Sequence, residues 1–249
     1  MQKSALFFLI TVVCRVAYAH LPISNNALET NEVYSSSIGD KLREALEKFK
    51  EVMRKGNESL GIPVLDPLKL AHEEFDINDE LFNLEGEVNN LFVKGLSDYI
   101  VQEADVKLAG WKVTLNLLFT NITGRTSYRI KGQIHKNIPV YGYGNFSFET
   151  YDFDFATQAK VKIDFQNKKV SLVSFNSTSL SLGKVKVDMS GLYGNDDLAK
   201  LVSAVISDIA PDTLVEYQEE VTKKLDQIML EEGNKFLEKH TFDDLIPSL

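Results

Sequence analysis

Between Leu84 and Met189 apolar and polar residues alternate with a period of two, and no other feature of the chain narrows its fold as much. Trp111, Val113, Leu115 and Leu117 alternate with Lys112, Thr114 and Asn116. Tyr128, Ile130, Gly132 and Ile134 alternate with Arg129, Lys131 and Gln133. Tyr141 and Tyr143 are followed by Tyr151, Phe153 and Phe155, then Val161, Ile163 and Phe165, then Val185, Val187 and Met189, each set with polar residues or glycine between. Successive side chains on a strand point to opposite faces, so each run predicts a strand with one apolar and one wet face, the pattern of an antiparallel sheet. Gly124, Asn137-Ile138-Pro139 and Asn167-Lys168-Lys169 predict turns. The expected block is six to eight strands.

Helical patterns flank this block. Ile38, Leu42, Leu46, Phe49 and Met53 fall on one stripe of a 3.6-residue period, with Asp40, Arg43, Glu44, Glu47 and Lys48 on the wet face. Residues 20–35 read as irregular; Ser36 or Ser37 is the expected cap and Gly56 the exit. Gly61-Ile62-Pro63-Val64-Leu65-Asp66-Pro67-Leu68 carries two prolines four apart, which forbid a helix there. After the strands, Asp196-Asp197 opens a helix with the stripe Leu198, Leu201, Val205 and Ile209. Pro211 is expected to stop or kink it, and a second stripe follows: Leu214, Tyr217, Val221, Leu225 and Ile228. Helices on either side of a strand block predict an α+β fold, with helices covering one face of an antiparallel sheet.

The first residues are of another kind. One positive charge at Lys3, the apolar run 5–13 and the small-residue site Ala17-Tyr18-Ala19 read as a secretory signal peptide, residues 1–19, cleaved before His20. The apolar run is too short to span a bilayer, and no later segment reaches 18 apolar residues, so no transmembrane anchor is expected. Residues 20–249 then form a single domain, secreted into extracellular fluid. Cleavage removes Lys3, Arg15 and the only cysteine, Cys14, and takes the net charge from −9 to −11. An acidic chain with no block of like charge gives no support to a nucleic acid or anionic-membrane partner. Export makes four N-x-[ST] sequons meaningful. Asn57, Asn121 and Asn176 are the expected glycosylation sites; Asn145, inside a strand pattern, is the weakest.

Tests for chemistry give little. There is no G-x-S-x-G and no phosphate-binding glycine loop. His72-Glu73-Glu74 lacks the second histidine of a zinc helix, and the calcium-loop mimic from Asp76 to Glu87 has Leu81 where the turn needs glycine. His135 reads as a strand end, and His72 and His240 as loop residues. No catalytic residue, metal site or cofactor is assigned, and the chain is read as a non-enzyme. The positive signal is aromatic and aliphatic surface on a sheet facing long helices, which either closes as core or leaves room for an apolar ligand.

The motifs, taken in order, resemble those of the insect haemolymph juvenile-hormone-binding and takeout-like family. Gly61 to Leu68 is similar to its I-P-x-x-D-P-L signature. Gly95-Leu96-Ser97, Tyr128 with Gly132, Pro139-Val140-Tyr141-Gly142-Tyr143-Gly144, the run from Leu180 to Gly194 and the ending 242–247 match later motifs. The resemblance implies a strongly curved sheet wrapped around a long helix, an internal apolar channel, and a secreted carrier of juvenile hormone, another terpenoid, a fatty acid or a similar lipid. The residues expected to line the channel are Leu46, Phe49, Trp111, Tyr128, Ile130, Tyr141, Phe153, Val221 and Leu225. The alternative is a structural or interaction protein on the same scaffold with no free ligand; no protein partner is identified. The family usually carries a disulfide near the mature N-terminus, and residues 20–60 contain no cysteine.

Overall fold

A computed structural model describes residues 30–78, 82–134, 138–164 and 166–241. The expected signal peptide, His135, Phe165 and the ending 242–247 lie outside the described residues. Helix α1 (Thr30–Lys55) and a short 3-10 turn (Glu58–Leu60) precede six strands. These are β1 (Leu68–Asn78), β2 (Phe82–Lys94), β3 (Tyr99–Lys107), β4 (Lys112–Ile134), β5 (Ile138–Asp164) and β6 (Lys169–Met189). Helices α2 (Asp196–Glu216) and α3 (Gln218–Lys239) follow. The strands form one antiparallel sheet in the order β1-β2-β4-β5-β6, with β3 pairing the first part of β4 on the edge where β2 pairs the second. The fold is α+β, as expected.

The middle strands are long. β5 has 27 residues, about 90 Å of extended chain at roughly 3.3 Å per residue. Each of β4, β5 and β6 changes which parity it buries along its length. β4 buries Val113, Leu115 and Leu117, then Ile122, Thr126 and Tyr128; β5 buries Val140, then Phe155, Thr157, Ala159 and Val161. The change falls at the same level in neighbouring strands, where Phe119 pairs Phe153 and Phe153 pairs Leu182. A strand that changes parity reads in sequence as two strands. Gly124, expected as a turn, lies inside β4, opposite Phe148. A Cβ there would sit 2.2 Å from the Phe148 ring, so the glycine is what lets the ring lie across the neighbouring strand.

The helices are placed largely through strand edges. α1 runs along β3, where the Arg43 guanidinium donates to the Val101 and Gln102 carbonyls. The buried Tyr99 hydroxyl donates to the Leu46 carbonyl at 2.6 Å, and burial raises its pKa. Along β6, the backbone N–H groups of Met189, Val187, Leu180 and Leu172 donate to Ser203 Oγ, Ser207 Oγ, Gln218 Oε1 and Asn234 Oδ1 at 2.8–3.0 Å. The two tracks are comparable in length but not equal. About 31 helical residues at 1.5 Å cover roughly 46 Å, and about 17 strand residues cover roughly 56 Å. This seam satisfies an edge that would otherwise be open to another strand.

One contiguous core joins α1 (Ile38, Leu42, Leu46, Phe49, Met53) to β3, β4, β5, β6 and α3 (Met229, Leu237). Strands from β3 to β6 therefore curl around α1. A second, smaller cluster of Val140, Leu192 and Ala199 sits where the chain crosses from β6 into α2. Asn195 caps α2, its side chain accepting from the N–H groups of Asp197 and Leu198 at 3.0 Å.

Several local expectations are corrected. α1 starts at Thr30, so residues 30–35 are helical and Ser36 and Ser37 lie within the helix instead of capping it. His72 is in β1, not a loop. α2 continues through Pro211 and ends only at Glu216. Tyr141 and Tyr143, read as an inward stripe, face solvent at 54% and 72% exposure. The inward positions are Val140 and Gly142, because residues 190–192 cross over them: a Cβ on Gly142 would lie 2.8 Å from Leu192 Cα.

Candidate ligand-binding face

The edge seam dictates what the rest of α2 does. Its serines turn toward β6, each hydroxyl accepting a strand N–H while donating to the carbonyl one helical turn back (Ser203 to Ala199 at 2.8 Å, Ser207 to Ser203 at 2.7 Å). At about 100° per residue, Leu198, Leu201, Val205 and Ile209 lie within roughly 40° of the direction opposite that seam. All four are exposed, Leu201 at 62%. The sequence pattern that predicts a buried stripe is thus real, but a polar seam holds the helix and leaves the stripe facing outward.

Of the nine residues expected to line a channel, five come together. Leu46 and Phe49 are fully inside the main core, with Trp111, Phe153 and Leu225 half-buried against it. Trp111 occupies the turn between β3 and β4 with a φ of 49°, not a strand position. Tyr128 is buried elsewhere on β4, its hydroxyl donating to the Ser190 carbonyl at 2.8 Å; burial, then Asp196, raises its pKa. Ile130 packs on the second cluster. Tyr141 and Val221 do not face inward: both are exposed, and Tyr141 stands edge-on to Tyr193 with ring centroids 5.2 Å apart.

Aromatic rings mark the route from edge to core. Tyr99 meets Phe119 at 5.7 Å between centroids, and Phe119 meets Phe153 at 5.8 Å. Sequence reasoning did not single out Tyr99 and Phe119. It found the Leu198–Ile209 stripe and expected its helix to cover one face of the sheet, since periodicity cannot say which face a helix turns to its neighbours.

No group of three or more metal-ligating side chains occurs among the described residues. His72, exposed on β1, contacts Asn89 at 2.7 Å and Glu74 at 3.6 Å; the Asn89 bond, with help from Glu74 and Glu87, raises its pKa. His240 stacks on Phe236 at the end of α3. Asp66, buried beneath α1, accepts hydrogen bonds from Gly95 N and from Ser97. The resemblance motifs around Asp66 and Ser97 thus meet as a structural clamp. No helix among the described residues is long and apolar enough to cross a membrane.

Residues 7–247 match the haemolymph juvenile hormone binding protein family. The fold is similar to the crystal structure of Takeout 1 from Epiphyas postvittana, with a TM-score of 0.59 and 17% identity over 84% of this chain and 94% of that one. A lipopolysaccharide binding protein aligns at a TM-score of 0.32 and 13% identity, over 79% of this chain and 36% of that one. No curated protein matches the sequence.

Proposed function

The chain belongs to the haemolymph juvenile hormone binding protein family, and from that premise we propose that it is a secreted, non-enzymatic carrier of an apolar small molecule. Residues 1–19 are its signal peptide and residues 20–249 its single domain. The ligand is juvenile hormone, another terpenoid, a fatty acid or a similar lipid, held in an apolar channel.

One observation carries this reading: an amphipathic helix fixed by polar contacts along a sheet edge, with its apolar stripe of Leu198, Leu201, Val205 and Ile209 left exposed. A contiguous exposed apolar stripe is costly to a soluble chain unless it is used. A ligand of about 15–20 carbons would gain of order 10 kcal/mol at ~0.8 kcal/mol per methylene, before the entropy of binding. Trp111, Phe153 and Leu225 are half-buried against the main core, and Ile130 is half-buried against the second cluster. Leu46 and Phe49 are buried members of that main core.

The test is native mass spectrometry and lipid extraction of protein secreted from insect cells, followed by uptake of labelled terpenoids and fatty acids. Co-purifying lipid, or saturable one-to-one uptake, is the expected result. Repeated recovery of empty protein with no uptake overturns the carrier reading and favours a scaffold with no free ligand.

A further inference from the structure

We propose that Asn145 is an N-glycosylation site and that the polar hollow beside it seats the first sugars of its glycan. This rests on the export reading, since only an exported chain meets the glycosylation machinery.

The four sequons differ in what the fold does with the asparagine. Asn57 uses Oδ1 to hold the 3-10 turn, accepting from Leu60 N at 3.1 Å and Ser59 Oγ at 2.7 Å. Asn121 is half-buried in β4, its amide donating to the Thr150 carbonyl at 3.4 Å. Asn176 is exposed at an irregularity of β6, but its amide donates to Ser174 Oγ, and the Thr178 hydroxyl of its sequon is tied to Asp226 at 2.5 Å. Asn145 is exposed on β5, and its side-chain amide has no hydrogen-bond partner among the described residues. Ser147, two residues along the strand, projects from the same face.

The surroundings suit a carbohydrate. A hollow of about 590 Å³ opens at Asn145 and Ser147. Across the sheet, Asn145 pairs with Ser127, and Ser147 sits between Arg125 and Asp188. Asn90, with a φ of 54° at the irregularity in β2, and Lys200 of α2 complete the rim. Arg125 lies over the Phe92 ring at 5.1 Å and, like Lys200, forms no ion pair with a carboxylate among the described residues. Amide, hydroxyl, carboxylate and cationic groups converging on one hollow offer both donors and acceptors to sugar hydroxyls and to an N-acetyl group.

The chain from residue 20 should be expressed in insect cells behind a heterologous secretion signal, so that failure of its own leader does not decide the result. Site mapping by mass spectrometry after enzymatic deglycosylation should find glycan on Asn145, retained in Asn121→Gln and lost in both Asn145→Gln and Ser147→Ala. Release of the Asn145 glycan from native protein should be at least tenfold slower than from denatured protein, and Arg125→Ala with Lys200→Ala should narrow that ratio. An unmodified Asn145 in secreted protein overturns the site. Equal release rates from native and denatured protein overturn the seat. Neither outcome bears on lipid uptake, which tests the carrier reading separately.

Discussion

The Asp66 carboxylate accepts two hydrogen bonds from Ser97, from the backbone N–H at 2.7 Å and from the hydroxyl at 2.6 Å. Both residues are buried, and Gly95 N adds a third bond to the same carboxylate at 3.1 Å. The Ser97 hydroxyl in turn accepts from Arg54 Nε of α1 at 3.0 Å, so the clamp ties the segment after α1 to the β2–β3 turn. Gly95 is required there: its φ is 95°, and a Cβ would sit 2.3 Å from the Asn121 carbonyl. Ser97→Ala should lower unfolding free energy by about 1–2 kcal/mol in urea titration, because one buried acceptor loses a partner. Asp66→Asn should cost more, since an amide NH2 would face N–H and O–H donors.

The serine seam on β6 predicts a local effect. Ser203→Ala and Ser207→Ala leave the N–H groups of Met189 and Val187 without acceptors. Each should cost about 1 kcal/mol. Amide hydrogen exchange at Val187 and Met189 should accelerate while the amides of β4 stay protected; uniform acceleration would show that the seam is not local.

The α2 stripe and the core should separate ligand uptake from stability. Leu201→Asp and Val205→Asp change exposed side chains, so stability should move by no more than about 0.5 kcal/mol while lipid uptake falls at least tenfold. Phe49→Ala empties a site in the main core and should cost about 3–5 kcal/mol. Thermal melts beside binding titrations read both quantities.

Gly124 and Phe148 should behave as a coupled pair. Gly124→Ala puts a methyl into the Phe148 ring and should cost about 1–3 kcal/mol. In the Phe148→Ala background the same change should cost much less, and a double-mutant cycle measures the coupling.

Asp226 predicts a pH dependence. Burial raises its pKa, against the opposing bond from Thr178. A carboxyl whose folded value is above its unfolded value contributes most favourably below the unfolded value, and the contribution is lost as pH rises through the folded one. Asp226→Asn, which keeps an acceptor for Thr178, should therefore melt at a higher temperature than the parent near neutral pH. The two melting curves should converge below the ordinary aspartate range, roughly pH 4. A constant gap across pH would contradict this assignment.

The sequence made the elements legible and left their placement open. The α1 stripe from Ile38 to Met53 is buried as its spacing requires, and the strand patterns around Val113 and Val161 mark real strands. Strand number and continuity were harder to read, because β4 changes its buried parity and Gly124 mimics a turn. Tyr141 was misread for a related reason: an alternating run shows two faces, and only the crossing of residues 190–192 over Gly142 decides which is inside. Periodicity 3.6 likewise identified the Leu198–Ile209 stripe and could not say that serines would face β6.

Local chemistry, then, was fixed by the chain itself: the period of each segment, the positions that need glycine, the lack of cysteine beyond Cys14, and the acidic balance. Tertiary structure alone decided which face each period turned inward. That choice depends on contacts between residues far apart in the chain, such as Ser203 with Met189 and Asp66 with Ser97, whose energies exist only once the sheet has curled around α1.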